Sequence, residues 1–118
     1  MAQEDKQLLF VALCAMLPYH VRLKVWLKDG TIEEGFLDLE HNYADVLRDA
    51  FYYNEIKDIK PYLRLMSSMT ETERQEYGLV LCNELSVNRF DWLNAHHFDY
   101  RNLIGRGLAI DCTDLNVY

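Results

Sequence analysis

Apolar residues recur with two different spacings along the chain, and the spacing predicts which segments are helix and which are strand. Leu9, Leu13 and Met16 lie at helical spacing within Gln3 to Leu17, a segment of good helix formers. Pro18 cannot continue a helix, because its ring clashes with the preceding turn and it has no amide hydrogen to donate. The sequence therefore predicts a first helix that ends near Leu17.

After Pro18 the apolar residues change to a period of two. Between Val21 and Leu27 every second residue is Val or Leu, which is typical of a strand with one buried face. The residues that point to the opposite face are Arg22, Lys24, Trp26 and Lys28. Asp29-Gly30 favours a two-residue hairpin turn, so we expect the strand to fold back on Thr31 to Leu39.

The hairpin pattern also predicts a register. A two-residue loop places Leu27 opposite Ile32, but an unbroken second strand would then turn Glu34 toward the core. A bulge at Glu34-Gly35 adds one residue and corrects the phase of the strand. The cross-strand pairs that follow from this bulge are Leu37 with Leu23, Leu39 with Val21, Asp38 with Arg22 and Glu33 with Trp26.

Three further β-prone pieces follow a polar turn at Glu40 to Asn42. They are Tyr43 to Arg48, Ala50 to Tyr53 and Glu55 to Arg64. Short strands in a meander are typical of small barrels, so residues 20–64 are predicted to form a short-stranded antiparallel sheet or a small SH3-like barrel.

The C-terminal half has helix-start signals. Thr70 and Glu73 have the spacing of a capping box, in which each side chain bonds the other residue's amide, so a helix is predicted from Thr70 toward Glu84. Asn88 is placed to cap a short helix over Arg89 to Ala95. Two or three helices are therefore expected between about residues 70 and 104.

The chain is predicted to end on a strand. A further turn at Asp99 to Ile104 is followed by Gly105-Arg106-Gly107, and Leu108-Ala109-Ile110 reads as a short terminal strand that returns to the sheet. We therefore expect one α+β domain over residues 1–118, which is near the commonest domain size.

Composition restricts the classes of function. Half of the residues are hydrophobic, which indicates a folded domain, and nineteen acids against twelve bases give a formal net charge of -7. This charge repels phosphate backbones at long range, so nucleic acid is not the expected partner. The apolar run from Leu8 to Leu17 is too short to span a bilayer and lacks the basic flank of a signal peptide, so no membrane association is expected.

Cysteine usage indicates a reducing compartment. Cys14, Cys82 and Cys112 are odd in number and far apart, without a Cys-x-x-Cys pair. Neither a disulfide framework nor a cysteine zinc site is indicated, and a cytoplasmic location fits best.

Two blocks of the sequence resemble a known family. The first holds Lys60-Pro61-Tyr62-Leu63-Arg64 and Met66-Ser67-Ser68-Met69-Thr70-Glu71, and the second holds Asp91 to Arg101 with Leu103-Ile104 and Gly107-Leu108-Ala109. They resemble short uncharacterised proteins found in phages and integrated elements of anaerobic gut bacteria. The resemblance covers about half of the chain and implies a setting in the cytoplasm of a bacterial host cell.

Metal binding and catalysis have one candidate cluster. His96, His97 and Asp99 carry metal-ligating groups, but adjacent histidines rarely reach one ion from a regular helix, and there is no His-Glu-x-x-His pattern. Ser67 and Ser68 lack the context of a nucleophile. We therefore expect no catalytic residue, no metal and no cofactor, and we rank a small metal-dependent enzyme third among the possible functions.

The second-ranked function uses the outward face of the first strand. Arg22, Lys24, Trp26 and Lys28 form a basic stripe around an aromatic ring, which some small barrels use to bind single-stranded nucleic acid or nucleotides. The predicted pairing with Asp38 and Glu33 would neutralise much of that charge.

The first-ranked function is protein binding. The stretch from Asp91 to Ile104 is dense in aromatic, histidine and arginine side chains, and Tyr, Trp and Arg dominate the energetics of protein interfaces. The residues expected to contact a partner are Trp92, His96, His97, Tyr100 and Arg101. A competing interpretation is that Trp92 and Phe98 only hold the helices on the sheet. We expect a non-catalytic phage-type protein that binds a host or phage protein and forms homo-oligomers.

Overall fold

A computed structural model describes residues 3–37, 56–115 and 117–118 of the chain. These residues contain three α-helices and four strands. In chain order the elements are α1 (Gln3–Met16), β1 (Val21–Leu27), β2 (Ile32–Leu37), β3 (Ile56–Leu63), α2 (Glu71–Leu81), α3 (Arg89–Ala95) and β4 (Ile110–Asp111). The α+β architecture predicted from the sequence is confirmed, with two helices rather than three between residues 70 and 104.

The first helix ends where Pro18 predicts. Helix α1 gives way to a 3-10 turn over Leu17–Tyr19, and His20 then takes a left-handed conformation with φ of 57° before β1 begins. Leu9 and Leu13 of α1 then share one buried cluster with Val21 and Leu23 of β1. No helix in the described ranges is both long and apolar enough to cross a membrane.

The hairpin forms, but its predicted register is wrong. Trp26 pairs with Ile32 and Leu23 with Gly35, and the β1–β2 pairing continues without a bulge at Glu34-Gly35. The extra residue lies in the turn instead, where the Leu27 amide donates to the Thr31 carbonyl at 2.8 Å. The loop is thus three residues long, and Gly30 at its end has φ of +91°, a conformation that glycine adopts without strain.

This register changes every cross-strand pair on the outer face. Arg22 lies opposite Phe36 rather than Asp38, and Trp26 lies opposite Ile32 rather than Glu33. The predicted partners Asp38 and Leu39 are outside the described residues. Part of the basic stripe is nevertheless neutralised by a different acid, because Glu34 lies opposite Lys24 and pairs with Arg22.

The sheet is mixed rather than antiparallel throughout. Its strand order is β2-β1-β3-β4, with β3 antiparallel to β1 and β4 parallel to β3. The terminal strand predicted over Leu108-Ala109-Ile110 is present but is only two residues long, Ile110–Asp111. The other strands predicted between Tyr43 and Tyr53 fall outside the described residues, so closure into an SH3-like barrel stays a prediction.

Two hydrophobic clusters hold the elements together. The first joins α1 to the inner face of the sheet and to the C-terminal loop, through Leu9, Leu13, Val21, Leu23, Ile59, Leu63, Leu103 and Leu108. The second joins α2 to α3 and the end of β3, through Met69, Val80, Trp92, Leu93 and Phe98. Truncating a fully buried leucine such as Leu13 to alanine would cost about 2–5 kcal/mol. The outer face of the sheet belongs to neither cluster.

Candidate functional site

An ion pair ties the end of β3 to the start of α2. Both terminal nitrogens of the Arg64 guanidinium donate to the Glu73 carboxylate at 2.8 Å. The same carboxylate accepts from the Thr70 amide at 3.0 Å, while the Thr70 hydroxyl accepts from the Glu73 amide, so the predicted capping box is present. Hydrogen bonds from Arg64 and Thr70 lower the pKa of Glu73 to about 2. The carboxylate is therefore a structural anion.

Trp92 is a core residue that anchors α3. Its side chain is 4% exposed, and its indole stacks on Tyr77 and His96, with ring centroids 5.2 and 4.0 Å away. The indole nitrogen donates to Glu76 at 2.6 Å, which satisfies its one polar group inside the second cluster. Phe98 is also buried there, under the guanidinium of Arg64 at 4.3 Å. This arrangement is the one expected if the two aromatics hold the helices on the sheet.

The three metal-ligand candidates are each engaged in separate hydrogen bonds. Nδ1 of His96 lies 2.8 Å from the Trp92 carbonyl, and Nε2 of His97 lies 2.9 Å from the Tyr19 carbonyl. The two Asp99 oxygens accept from the amides of Leu103 and Ile104, which caps the following turn. Within the described ranges no three His, Cys, Asp or Glu side chains are grouped as a metal site would require.

His97 lies in the turn that follows α3, and this turn contacts the end of β3. Its φ of 62° is left-handed, and its carbonyl accepts from the Arg64 amide at 2.8 Å, so Phe98 forms a parallel bridge with Arg64. Since a carbonyl only accepts hydrogen bonds, Nε2 of His97 carries a hydrogen and donates it in the bond to the Tyr19 carbonyl. Burial lowers the pKa of His97, which favours the neutral ring.

Tyr100 packs at the edge of the second hydrophobic cluster, and both Tyr100 and its neighbour Arg101 are partly exposed. The guanidinium of Arg101 lies 4.6 Å from the Tyr100 ring, and the Phe90 ring lies 5.4 Å from it on α3. The Tyr100 hydroxyl and Nη1 of Arg101 are buried and have no hydrogen-bond partner in the described part of the chain. A buried polar atom without a partner costs about 1–3 kcal/mol, so this corner holds unsatisfied donors.

An apolar surface lies beside these two residues, where α2 turns into α3. We call it the α2–α3 corner and define it by its exposed large side chains, Leu81, Leu85, Val87 and Phe90. Leu81 and Val87 line one groove of about 270 Å³ whose other walls are largely polar and include Asn83, Asn88 and Arg89. Sequence reasoning did not single out this surface, because it continued the helix from Thr70 toward Glu84, whereas α2 ends at Leu81 and the residues that follow it are exposed.

The outer face of the sheet brings together the other predicted site. Arg22, Lys24 and Trp26 share one face of β1, and the face continues on β3 as Asp58, Lys60 and Tyr62. Lys28 lies in the turn beyond the strand and is exposed. Lys60 is the residue that sequence reasoning did not include, because its position opposite Lys24 depends on how β3 pairs with β1.

Two of the charges on this face are already paired. The guanidinium of Arg22 lies 3.2 Å from Glu34, which also accepts from the Tyr62 hydroxyl. These bonds lower the pKa of Glu34, and burial together with the Glu34 bond raises the pKa of Tyr62 to about 12. Arg22, Glu34 and Tyr62 therefore form a fixed network at one end of the face.

Comparison with known proteins adds no relative: no family model, curated protein or solved structure matches the chain at a significant level.

Proposed function

We propose that this protein is a non-catalytic binding protein whose α2–α3 corner docks on a basic protein of the host cell or of a phage. One observation carries the proposal. Of the ten large hydrophobic side chains that are exposed in the described ranges, five lie within the twelve residues from Leu79 to Phe90. Apolar side chains exposed one at a time are ordinary, but a dense group beside a groove is typical of an interaction site.

The shape of the corner supports an anchor-and-pocket contact. The groove lined by Leu81 and Val87 has room for one or two apolar side chains of a partner. Phe90 extends the apolar surface toward Tyr100 and Arg101, two of the residues expected from the sequence to contact a partner.

Charge selects the class of partner. Between residues 71 and 91 the sequence has five acidic side chains and two basic ones, so this segment carries net negative charge even though Glu73 is paired with Arg64 and Arg89 lines the groove. Complementary charge speeds association and suppresses wrong partners. A partner with an apolar anchor flanked by lysine or arginine fits this surface best.

The proposed setting is the cytoplasm of a bacterial host cell. Cys14, Cys82 and Cys112 are all free thiols, as a reducing compartment maintains them. The phage-type assignment is supported by the two sequence blocks that resemble phage and mobile-element proteins. A second copy of the chain is the competing occupant of the corner.

The test uses a defined probe. A designed amphipathic helix of leucine and lysine is added to isotope-labelled protein, with a leucine and glutamate helix as its charge-reversed counterpart. We expect amide shift changes centred on Leu81, Leu85, Val87 and Phe90 with the basic helix only. Val87→Asp should weaken binding at least about tenfold, since it removes an apolar contact and forces a leucine of the probe to bury a carboxylate.

Val11→Asp is the matched control. Val11 is 58% exposed on α1 and Val87 is 44% exposed, so both variants add the same charge to an exposed valine. Equal weakening by the two variants, or shift changes away from the corner, would refute the proposed site. Self-association that Val87→Asp alone abolishes would replace the foreign partner with a second copy.

A further inference from the structure

The outer face of the sheet carries a second candidate binding site, independent of the corner. Lys24 and Lys60 are directly paired across β1 and β3. Like charges placed opposite each other destabilise a sheet by about 0.2–1 kcal/mol, because their side chains emerge about 5 Å apart. On its other side Lys24 lies opposite Glu34 of β2, so the excess positive charge is concentrated between β1 and β3.

Both ammonium groups lie over one aromatic ring, that of Trp26. Nζ of Lys24 is 5.4 Å and Nζ of Lys60 is 5.8 Å from the centre of the Trp26 ring, within the range of cation–π attraction. Trp26 is partly exposed, so its ring is accessible to a ligand. The three residues thus combine a flat stacking surface with two flanking cations.

Two carboxylates lie beside this trio, with Glu34 opposite Lys24 and Asp58 opposite Trp26, and each of them also accepts hydrogen bonds from other residues. Glu34 is engaged by Arg22 and Tyr62, and Asp58 accepts from the amide of Ile59 at 2.9 Å. In the described part of the chain neither lysine has a carboxylate within ion-pair distance. An anion bound between the lysines would therefore relieve their mutual repulsion.

From this geometry we propose that the outer sheet face binds single-stranded nucleic acid, with one base stacked on Trp26 and Lys24 and Lys60 contacting the adjacent phosphates. The ligand must offer an aromatic ring with negative charge close to it, and each nucleotide of a single strand supplies a base and a phosphate. Stacking of a base on an aromatic side chain contributes about 1–3 kcal/mol. In a duplex the base faces are covered by neighbouring bases, so a duplex does not fit the exposed ring.

The net charge of the chain determines how strongly the site binds. A formal charge of -7 opposes a polyanion at long range, so binding is expected to be weak and confined to low salt. Two phosphate contacts predict that raising the salt from about 20 mM to about 150 mM weakens binding roughly tenfold to twentyfold. This salt dependence is a quantitative signature of the two lysines.

The experiment is a titration of the folded protein against a fluorescently labelled oligothymidylate of about 12 nucleotides, followed by anisotropy at both salt concentrations. We expect measurable binding at low salt, and at least about tenfold weaker binding for Lys60→Glu. Lys24→Gln provides a second, milder variant on the other strand and should reduce the salt dependence. Circular dichroism confirms that each variant is folded.

Lys57→Glu is the matched control. Lys57 lies in β3 as Lys60 does, but it lines a different surface together with Asp5 and Arg106. Lys57→Glu makes the same charge change as Lys60→Glu, and it should leave the affinity for the oligonucleotide within about twofold of that of the unmodified protein. Equal losses for Lys57→Glu and Lys60→Glu, or no binding at low salt, would overturn the proposal.

Two competitors identify the ligand class. A mononucleotide that competes as well as the oligonucleotide would overturn the single-strand assignment in favour of a nucleotide site. Poly-glutamate of matched charge that competes as well would show that the face binds acidic peptides without stacking, and would overturn it too. Because none of these variants lies in the α2–α3 corner, either proposal can fail without the other.

Discussion

The phenol ring of Tyr118 lies flat on the imidazole of His97, with ring centroids 3.6 Å apart and planes inclined by 7°. The Tyr118 hydroxyl accepts from the Arg22 amide at 2.8 Å and donates to the Tyr62 carbonyl at 2.7 Å. One side chain therefore bridges β1 and β3 and contacts the junction that follows α3. Burial raises the pKa of Tyr118, so the hydroxyl stays protonated and keeps both bonds.

The bridge predicts a specific cost for Tyr118→Phe. This change keeps the stack on His97 but removes both hydrogen bonds, leaving an amide of β1 and a carbonyl of β3 without this partner. We expect the free energy of unfolding in urea to fall by about 1–3 kcal/mol.

Tyr77→Phe is the control for that measurement. The Tyr77 ring also stacks on an aromatic residue, Trp92, but its hydroxyl makes no hydrogen bond within the described ranges. We expect this variant to cost less than about 0.5 kcal/mol. Similar losses for the two variants would contradict a bridging role for the Tyr118 hydroxyl.

The buried imidazole of His97 predicts loss of stability in mild acid. Burial lowers its pKa below the usual 6.5, so as the pH falls the unfolded chain takes up the proton before the folded one does. Folding stability that is present above about pH 6.5 is therefore lost as the pH falls from there toward the folded-state pKa. Urea unfolding at about pH 7.5 and about pH 5.5 measures the loss.

His97→Asn isolates the contribution of this residue. Asparagine tolerates the left-handed φ of 62° at this position and does not titrate in the window. The gap in stability between the unmodified protein and His97→Asn should narrow as the pH is lowered. A gap that is constant across the window would show that His97 does not carry the pH dependence.

Glu73 predicts a second and more acidic transition. Its pKa of about 2 lies below the usual 4.5, so its contribution to stability is complete above pH 4.5 and is lost as the pH falls from 4.5 toward 2. Arg64 and Glu73 are 24% and 17% exposed, so solvent screening of the pair is limited. We expect Glu73→Gln to cost about 2–3 kcal/mol at pH 7 and much less near pH 2.

Glu71→Gln is the matched control in the same helical turn. Glu71 is exposed, and its side chain contacts only Gln75 at 3.5 Å in the described part of the chain. Replacing the Glu71 carboxylate should lower the free energy of unfolding by less than about 0.5 kcal/mol at pH 7. A cost equal to that of Glu73→Gln would mean that the helix dipole, and not the ion pair with Arg64, is responsible.

Local signals in the sequence predicted the helix ends well. The capping box needs only Thr70 and Glu73, and the second cap needs only Asn88, whose side chain accepts from the Phe90 amide at 2.8 Å. The α1 end at Pro18 is likewise fixed within a few residues. Each of these features depends on hydrogen bonds between neighbours in the chain, so the pattern contains the needed information.

Features that depend on distant pairing were not predictable in the same way. The hairpin register depended on whether Gly30 joined a two-residue or a three-residue loop, and the pattern Asp29-Gly30 is compatible with both. The pairing of Lys24 with Lys60 depends on the placement of β3, which no local signal gives. The contact of Arg64 with Glu73 likewise depends on where the end of β3 lies relative to α2.

Thiol reactivity tests the packing of the C-terminal segment. Cys112 is 2% exposed and follows β4, and burial raises its pKa to about 11, whereas Cys14 and Cys82 are exposed. Because the thiolate is the reactive form, a thiol reagent at about pH 8 should modify two cysteines quickly and the third at least about 100-fold more slowly. In urea that unfolds the protein all three thiols should react at similar rates, because the reaction of Cys112 then no longer depends on opening of the fold. Cys14→Ser and Cys82→Ser identify the two fast sites, and a third fast thiol in the folded protein would show that β4 does not stay on β3.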